Sequence, residues 1–233
     1  QYTRAPLPNN PQAIPIYTTP YLQDHVLRSF QVCAKAEEWS QQSLKDNQTK
    51  AIWGKEFKDL RVYLKGHKIK VNDWRSLKNL AETVIANSRH GIELPAGIMP
   101  NTQHFKDLIF AYEYYFVKQV TSHESQRKLF AKPLLDAILV YIDTGVKNAV
   151  FLSANERTLL VLLSAFGILN SECLFENYLA EKSGQAIPHE NCVYPHSMSN
   201  FIFEYYKGKE AKIAFKYNWK PISLCDPTTT KAC

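Results

Sequence analysis

Residues Asn148–Ile168 read NAVFLSANERTLLVLLSAFGI, and this stretch decides the fold class. Its first part, Asn148–Ala154, is a short apolar run after a glycine-containing turn, which is typical of a strand buried on both faces. The second part is an apolar run of helical length that begins at Asn155 and ends near Gly167. A strand that leads directly into a helix predicts an α/β unit. Open α/β sheets bind ligands at such strand-to-helix corners, and the corner here carries Asn155 and Glu156.

Helical periodicity dominates the chain before this unit. The predicted helices, with the residues that set their inner faces, are Lys50–Lys65 (Ile52, Phe57, Leu60, Leu64), a helix capped by Asn72 or Asp73 (Trp74, Leu77, Leu80, Val84, Ile85), a helix capped by Thr102 (Phe105, Leu108, Ile109, Tyr112, Phe116, Val120) and Lys132–Thr144 (Leu134, Leu135, Ile138, Leu139, Ile142). After the unit, SNFIFEYY and AKIAFKYNW alternate apolar and polar residues around a Lys-Gly-Lys turn. This alternation predicts an antiparallel hairpin over residues 199–218.

The charge and hydropathy of the sequence argue against two functional classes, nucleic-acid-binding proteins and transmembrane proteins. The 233 residues carry a formal net charge of +6, but the 28 basic residues are scattered among 22 acidic ones. This pattern favours an ordinary solvated surface over a nucleic-acid interface. No apolar run reaches the roughly 18 residues that a membrane-spanning helix needs. The chain is therefore expected to have neither a nucleic-acid partner nor a transmembrane segment.

The five cysteines are Cys33, Cys173, Cys192, Cys225 and Cys233, and no two of them have CxxC spacing. A metal site is therefore not expected, and no cofactor motif is present. Two interpretations remain open: disulfides in a secreted, lysosomal or other lumenal protein, or free thiols in a reducing compartment. Asn47-Gln48-Thr49 is a formal glycosylation sequon and weakly favours the first.

Several segments resemble the histidine acid phosphatases of the prostatic and lysosomal type. VFLSANERTLLVLLSAFGI resembles the family segment YSAHDTTVxxLLxALG, and QAIPIYTTP resembles PIPVHTVP. PHSMSNFIFEYYKGKEAKIAFKYN resembles PPYASCxxxELYxxxGxYFVxxxYRN, with Ser199 and Glu204 in the matching places. WKPISLC resembles PLxLPGC, and Cys33 followed by a helix to Leu44 resembles the cysteine-led helix of the family. The similarities follow one another in order over about Gln12–Cys225.

The resemblance implies a fold with three parts. Residues 1–20 would be an extended, proline-rich entry to the α/β domain, and residues 21–130 a helical cap subdomain. Residues 131–233 would hold the α/β portion, with its strand at 148–154 and its hairpin at 199–218. Within that portion Cys173 and Cys192 bracket a segment that looks longer than in the family, and a disulfide would clip it. Cys33 would reach Cys225 or Cys233 and leave one thiol over.

The resemblance also implies a mechanism, from which the chain departs. In the family, the histidine of an RHGxRxP segment attacks phosphorus, and a later His-Asp pair binds phosphate and protonates the leaving group. Asn155 stands in the place of that histidine and Glu156 in the place of the aspartate. Glutamate can still donate a proton. Asparagine offers only a neutral hydrogen bond where the family has a charge-assisted one, which is about twice as strong.

The family's nucleophile segment lies many tens of residues ahead of the part that matches IPIYTTP, whereas about a dozen residues precede it here. Arg4, within Tyr2-Thr3-Arg4, faintly resembles a phosphate-binding arginine of the family. The tripeptide Arg89-His90-Gly91 has no following second arginine and comes after an amphipathic helix. We interpret it as a helix terminus and not as a nucleophile, because basic residues and glycine suit the carbonyl end of a helix.

Three functions follow as hypotheses. The first is a non-catalytic relative of the phosphatases that serves as a structural or interaction subunit, for example inside an organellar complex. Another polypeptide, or another copy of the chain, would then complete its sheet. The second is part of a split or processed acid phosphatase, with RHGxRxP on a partner chain. The third is a helical scaffold unrelated to phosphatases.

Overall fold

The computed structural model describes residues 16–145, 149–208 and 212–222. The described chain is mixed, with many helices and one small antiparallel sheet. Its α-helices are α1 (Ser29–Val32), α2 (Ala34–Ser43), α3 (Asn47–Ala51), α4 (Lys58–Gly66), α5 (Trp74–Arg89), α6 (Gln103–Thr121), α7 (Glu124–Thr144), α8 (Glu156–Ala165) and α9 (Ser171–Lys182). Its strands are β1 (Phe201–Tyr206), β2 (Lys212–Tyr217) and β3 (Lys220–Ile222). A π-helical turn, Ile52–Glu56, joins α3 to α4.

Helix α6 is the centre of the helical body, because α2, α5, α7, α8 and α9 all contact it. Its sequence is apolar or aromatic on several faces, which is typical of a helix surrounded by others. Leu108, Tyr114 and Val117 are fully buried. The predicted inner face of the preceding segment is also confirmed, since Ile52, Phe57, Leu60 and Leu64 are all buried despite the π-helical turn. 

Short polar side chains begin the principal helices, as the sequence predicts. The Asp73 carboxylate accepts a hydrogen bond from the Ser76 backbone N–H at 2.7 Å, and the Ser76 side chain bonds back to the cap. Thr102 caps α6 and Asn155 caps α8. Such caps satisfy backbone N–H groups that have no partner inside the helix. Gly91, with a φ of 65°, follows the end of α5 and confirms that Arg89-His90-Gly91 lies at a helix terminus.

Helix α7 ends at Thr144 as predicted, but it differs from its prediction at its start and in the exposure of its second half. It begins at Glu124 instead of Lys132 and continues through Pro133, because Gln126, Phe130 and Ala131 anchor its first half in the core. The prediction that its second half faces inward is wrong for Leu139, which is 50% exposed. Val140 and Tyr141 are exposed as well. No described segment lies over them.

The predicted strand 148–154 is not formed. Residue 148 lies outside the described residues, and residues 149–154 have no β pairing. Val150, Phe151 and Leu152 are all exposed, and Phe151 is 95% exposed. Burial on both faces requires neighbouring strands, which no described part of the chain supplies. We refer to residues 149–154 as the exposed segment.

The predicted C-terminal hairpin is confirmed. Strands β1 and β2 pair antiparallel with Phe203 opposite Phe215, and the rings of Phe201, Phe203 and Phe215 surround Phe166 after α8. The sequence does not predict β3, which pairs with β2 across a tight turn at Asn218 and Trp219. Both turn residues have positive φ, a geometry that is usually marked by glycine, and no glycine is present here. At the other end, residues 16–20 are irregular and exposed, and the rest of the predicted extended entry, 1–15, is outside the described residues.

Candidate functional site

The predicted site residue Asn155 is occupied as a helix cap. Its side-chain oxygen accepts hydrogen bonds from the backbone N–H of Thr158 at 3.1 Å and from the Thr158 hydroxyl at 3.2 Å. The same hydroxyl donates to the backbone carbonyl of Leu27 at 2.6 Å, which ties the start of α8 to the segment before α1. The position therefore has a local structural role that any short polar side chain with an acceptor oxygen can perform.

Glu156 is held by a tyrosine from α6. The Tyr112 hydroxyl donates to a Glu156 carboxylate oxygen at 2.5 Å. Burial raises the pKa of Tyr112 far above its ordinary value, and the hydrogen bond to Glu156 and the charge of Glu156 raise it further. Tyr112 therefore remains a neutral donor throughout the physiological range. This hydrogen bond fixes the orientation of the Glu156 carboxylate.

Asn155 and Glu156 open onto a cavity of about 450 Å³ between the start of α8 and the loop before β1. The loop contributes His196, Ser197, Met198 and Ser199 to the lining. Arg89, at the end of α5, donates from Nη1 to the Ser197 hydroxyl at 3.0 Å. The cavity lining is therefore mostly polar, with one carboxylate, one guanidinium from Arg157 and one imidazole.

A carboxyl–imidazole pair lies next to this cavity. Glu113 Oε1 is 3.3 Å from His196 Nε2, and the Glu113 side chain is almost covered. Burial raises the pKa of Glu113 to about 8, and the negative charges of Glu181 and Glu156 add to this effect. Burial and the positive charge of Arg89 lower the pKa of His196, against the opposing charge of Glu156. At neutral pH the pair is therefore a protonated carboxyl beside a neutral imidazole.

His196, Glu113 and Tyr112 are not among the site residues that the sequence predicts. Tyr112 and Glu113 belong to an α6 sequence whose periodicity indicates only a core helix. Their site partners come from α8 and from the loop before β1. The signal that distinguishes them is a carboxylate within an otherwise aromatic stretch, AYEYYF.

The structure shows the disulfide pairing of two of the five cysteines. Cys173 and Cys192 form the disulfide that closes the segment after α9, as expected. Asn177 reinforces it, because its side-chain amide donates to the backbone carbonyls of His189 at 2.9 Å and Cys192 at 3.2 Å. Cys33 is half-buried and forms no disulfide with a described residue. Cys225 and Cys233 lie outside the described residues, and so the expected pairing of Cys33 stays a prediction.

Of the remaining predicted residues, Asn47 does not line the cavity. Arg4 is outside the described residues. Asn47 is exposed in the first turn of α3, whereas Thr49 of the same sequon is buried, with its hydroxyl 3.4 Å from that of Tyr114. Glycosylation at Asn47 therefore stays a prediction. A glycosyltransferase would have to recognise Thr49 before it packs beside Tyr114.

Neither a metal site nor a membrane-spanning helix is found in the described part of the chain. Among residues 16–145, 149–208 and 212–222, no three His, Cys, Asp or Glu side chains cluster in a way that could hold a metal ion. Within the same ranges, no helix combines the length and apolarity that a bilayer crossing requires. Comparison with known proteins adds no family assignment: no protein-family model matches the chain, and no curated protein matches it.

Proposed function

We propose that the chain is a non-catalytic, histidine acid phosphatase-like protein that acts as a structural or interaction subunit. In this proposal a β-strand of another polypeptide pairs with the exposed segment and completes an α/β sheet. The observation that carries the proposal is the 95% exposure of Phe151 within an apolar segment that no described strand pairs with. The exposed side chains of Leu139, Val140 and Tyr141 on the adjoining helix α7 add to the apolar surface that a partner would cover.

A strand is the fitting occupant because the exposed segment offers both main-chain and side-chain recognition. Its backbone N–H and C=O groups have no ladder partner among the described residues. Its consecutive apolar side chains Val150, Phe151 and Leu152 are all exposed, and in a strand successive side chains would point to opposite faces. Strand addition uses the main chain for affinity and alternate side chains for specificity. An unpaired apolar segment of this kind is an aggregation hazard unless it is covered.

The chemistry at Asn155 and Glu156 supports a non-catalytic role. Asn155 uses its oxygen as a helix cap and carries no positive charge for a phosphoryl group. Glu156 accepts a hydrogen bond from Tyr112, so one of its carboxylate oxygens is already engaged inside the protein. The Cys173–Cys192 disulfide is compatible with a secreted or lumenal protein, and we propose such a compartment for the assembly.

The proposed interaction is tested by hydrogen exchange and by one matched pair of substitutions. In the assembly purified under native conditions, the backbone amides of the exposed segment should exchange hydrogen as slowly as those of α6. In the chain alone, they should be among the fastest-exchanging amides of the protein. Phe151→Asp should abolish assembly in gel filtration. Val62→Asp, at an exposed apolar position on α4, should leave assembly intact. Fast exchange in every preparation, or equal assembly of the Phe151→Asp variant, would refute the proposal.

Acid phosphatase activity is the second candidate function. It is favoured by one observation: Glu156, Arg157 and His196 line a common cavity, so that a carboxyl group and positive charge lie together. The measurement is hydrolysis of p-nitrophenyl phosphate at acid pH by the assembly. We expect none. Activity that Glu156→Gln removes and that Glu124→Gln preserves would establish the phosphatase instead.

A further inference from the structure

A second, larger cavity shares Gln31 and Arg157 with the cavity at Glu156 and is lined mainly by helices α1, α2, α5 and α6. Its volume is about 780 Å³, which falls in the range of small-molecule pockets. Its floor is aromatic: Phe30, Trp74, Tyr115, Phe116 and Phe130 line it, and all but Phe30 are buried. Such a floor can cover the apolar body of a ligand.

Two cations are positioned over this floor. The Arg157 guanidinium carbon lies 4.2 Å from the centre of the Phe116 ring, and the Lys78 ammonium lies 5.6 Å from the same centre. Lys78 also forms an ion pair with Glu82 at 3.0 Å. Arg157 has no ion pair or side-chain hydrogen bond with a described residue, so its donors are available to an anion.

The charges around the cavity favour an anionic ligand. Lys45 and Arg75 also line it, whereas Asp73 is its only acidic lining residue. The Asp73 carboxylate is already engaged as the cap of α5, where it accepts from the Ser76 backbone and hydroxyl. An excess of cations above an aromatic floor is complementary to a molecule with one anionic head and an apolar body.

We propose that this cavity binds an amphipathic organic carboxylate, with its apolar body on the aromatic floor and its carboxylate at Arg157 and Lys78. A guanidinium can engage a carboxylate through two parallel N–H···O bonds. Burial of the apolar body supplies most of the affinity, and the two cations supply the preference for a charged head. The proposal stands apart from the interaction role, because it uses neither the exposed segment nor the corner at Glu156.

Calorimetric titration with 4-phenylbutyrate tests the site, with 4-phenylbutanol as the neutral probe of the same shape. The protein is the purified full chain, together with any polypeptide that co-purifies. We expect saturable binding of one 4-phenylbutyrate per chain and at least about tenfold weaker binding of 4-phenylbutanol, because the neutral head makes no charge-assisted bond. Absence of saturation, or equal affinity for the two probes, would overturn the proposal.

Substitutions then place the binding in this cavity. Arg157→Met and Lys78→Met should each weaken 4-phenylbutyrate binding about tenfold while the affinity for 4-phenylbutanol changes little. Lys128→Met is the matched control, because Lys128 forms the same kind of pair with a glutamate one helical turn away but is exposed on α7. If Arg157→Met does not fold by circular dichroism, Lys78→Met alone decides. Unchanged binding in the folded cavity variants, or equal weakening by Lys128→Met, would refute the site.

Discussion

Phe57 and Phe151 illustrate two regions of the molecule that are equally apolar in sequence but differ in burial. Phe57, in the helical body formed by α2–α6 and α9, is fully buried against the rings of Trp74 and Phe110. Phe151, in the exposed segment, contacts almost nothing. The helical body closes because each apolar stripe faces another described helix. The difference shows that an apolar run specifies a need for burial and does not specify the element that satisfies it.

The largest expected effect is the difference between these two phenylalanines. Phe57→Ala should lower the free energy of unfolding by about 3–5 kcal/mol, because it removes a buried ring and leaves a cavity. Phe151→Ala should change it by less than about 0.5 kcal/mol in the chain alone, because the ring is already in water. Urea unfolding followed by circular dichroism measures both. A comparable loss for Phe151→Ala would mean that the exposed segment is packed in solution.

The disulfide should contribute next most strongly to the stability of the helical body. Replacing both Cys173 and Cys192 by serine should cost about 3 kcal/mol, because the reduced chain regains the entropy of a loop spanning a sequence separation of 19 residues. Cys33→Ser is the control, since Cys33 forms no disulfide with a described residue, and its effect should stay below about 1 kcal/mol. Equal losses in both variants would contradict a structural role for this bond. Denaturant midpoints under non-reducing conditions provide the measurement.

The buried Glu113 carboxyl should make the stability of the protein depend on pH. Its pKa is raised to about 8 by burial and by the charges of Glu181 and Glu156, so the native chain retains a proton that the unfolded chain loses above its ordinary pKa of 4.5. Stability should therefore fall as pH rises from about 5 to 8. Glu113→Gln should remove this fall, on the order of 2 kcal/mol at pH 8 to 9.

The neighbouring His196 contributes with the opposite sign. Its pKa is lowered, so its contribution to stability is lost as pH falls through its ordinary value of 6.5. Melting curves of Glu113→Gln and the wild type should therefore diverge above neutral pH and agree near pH 5. Glu124→Gln, at an exposed carboxylate on α7, should follow the wild type above neutral pH. If the stability of Glu113→Gln falls with pH as steeply as that of the wild type, the carboxyl is not protonated in the native protein.

The smallest effect concerns the helix that follows the exposed segment. Asn155→Ala should cost about 1 kcal/mol, because the Thr158 backbone N–H loses its side-chain acceptor. Asn155→Asp should retain the cap and add a favourable charge at the helix N-terminus. The urea midpoints of the two variants test the capping role, because only Asn155→Asp keeps a side-chain acceptor for the Thr158 backbone N–H. An alanine variant as stable as the aspartate variant would show that the cap contributes nothing.

Local features were predictable because their causes lie within a few residues. Asp73 and Thr102 satisfy N–H groups within one turn, and Gly91 adopts the positive φ that ends α5. The start of α7 was not predictable, because the penalty of Pro133 argues for a boundary that burial of Phe130 overrides. Strand β3 was missed because Asn218 and Trp219 form its turn without a glycine.

The candidate site was less predictable than the helices. Asn155 and Glu156 were identified from the corner that they occupy, and they do line a cavity. The Tyr112 hydroxyl that bonds to Glu156 and the neighbouring Glu113–His196 pair were not identified, since these residues come from distant parts of the chain. Pairing of this kind depends on how α6 packs against α8, and neither periodicity nor capping specifies that packing.

The sequence by itself determined helices α4, α5, α6 and α8, the caps of α5 and α6, the C-terminal hairpin and the apolar character of the exposed segment. The reason is that hydrophobic period and short-range hydrogen bonding act along the chain. The tertiary structure alone decided which apolar residues are covered, how Glu113 meets His196, and where Arg157 and Lys78 lie over Phe116. Those outcomes depend on the packing of elements far apart in sequence, because burial and electrostatic environment are properties of neighbours in space.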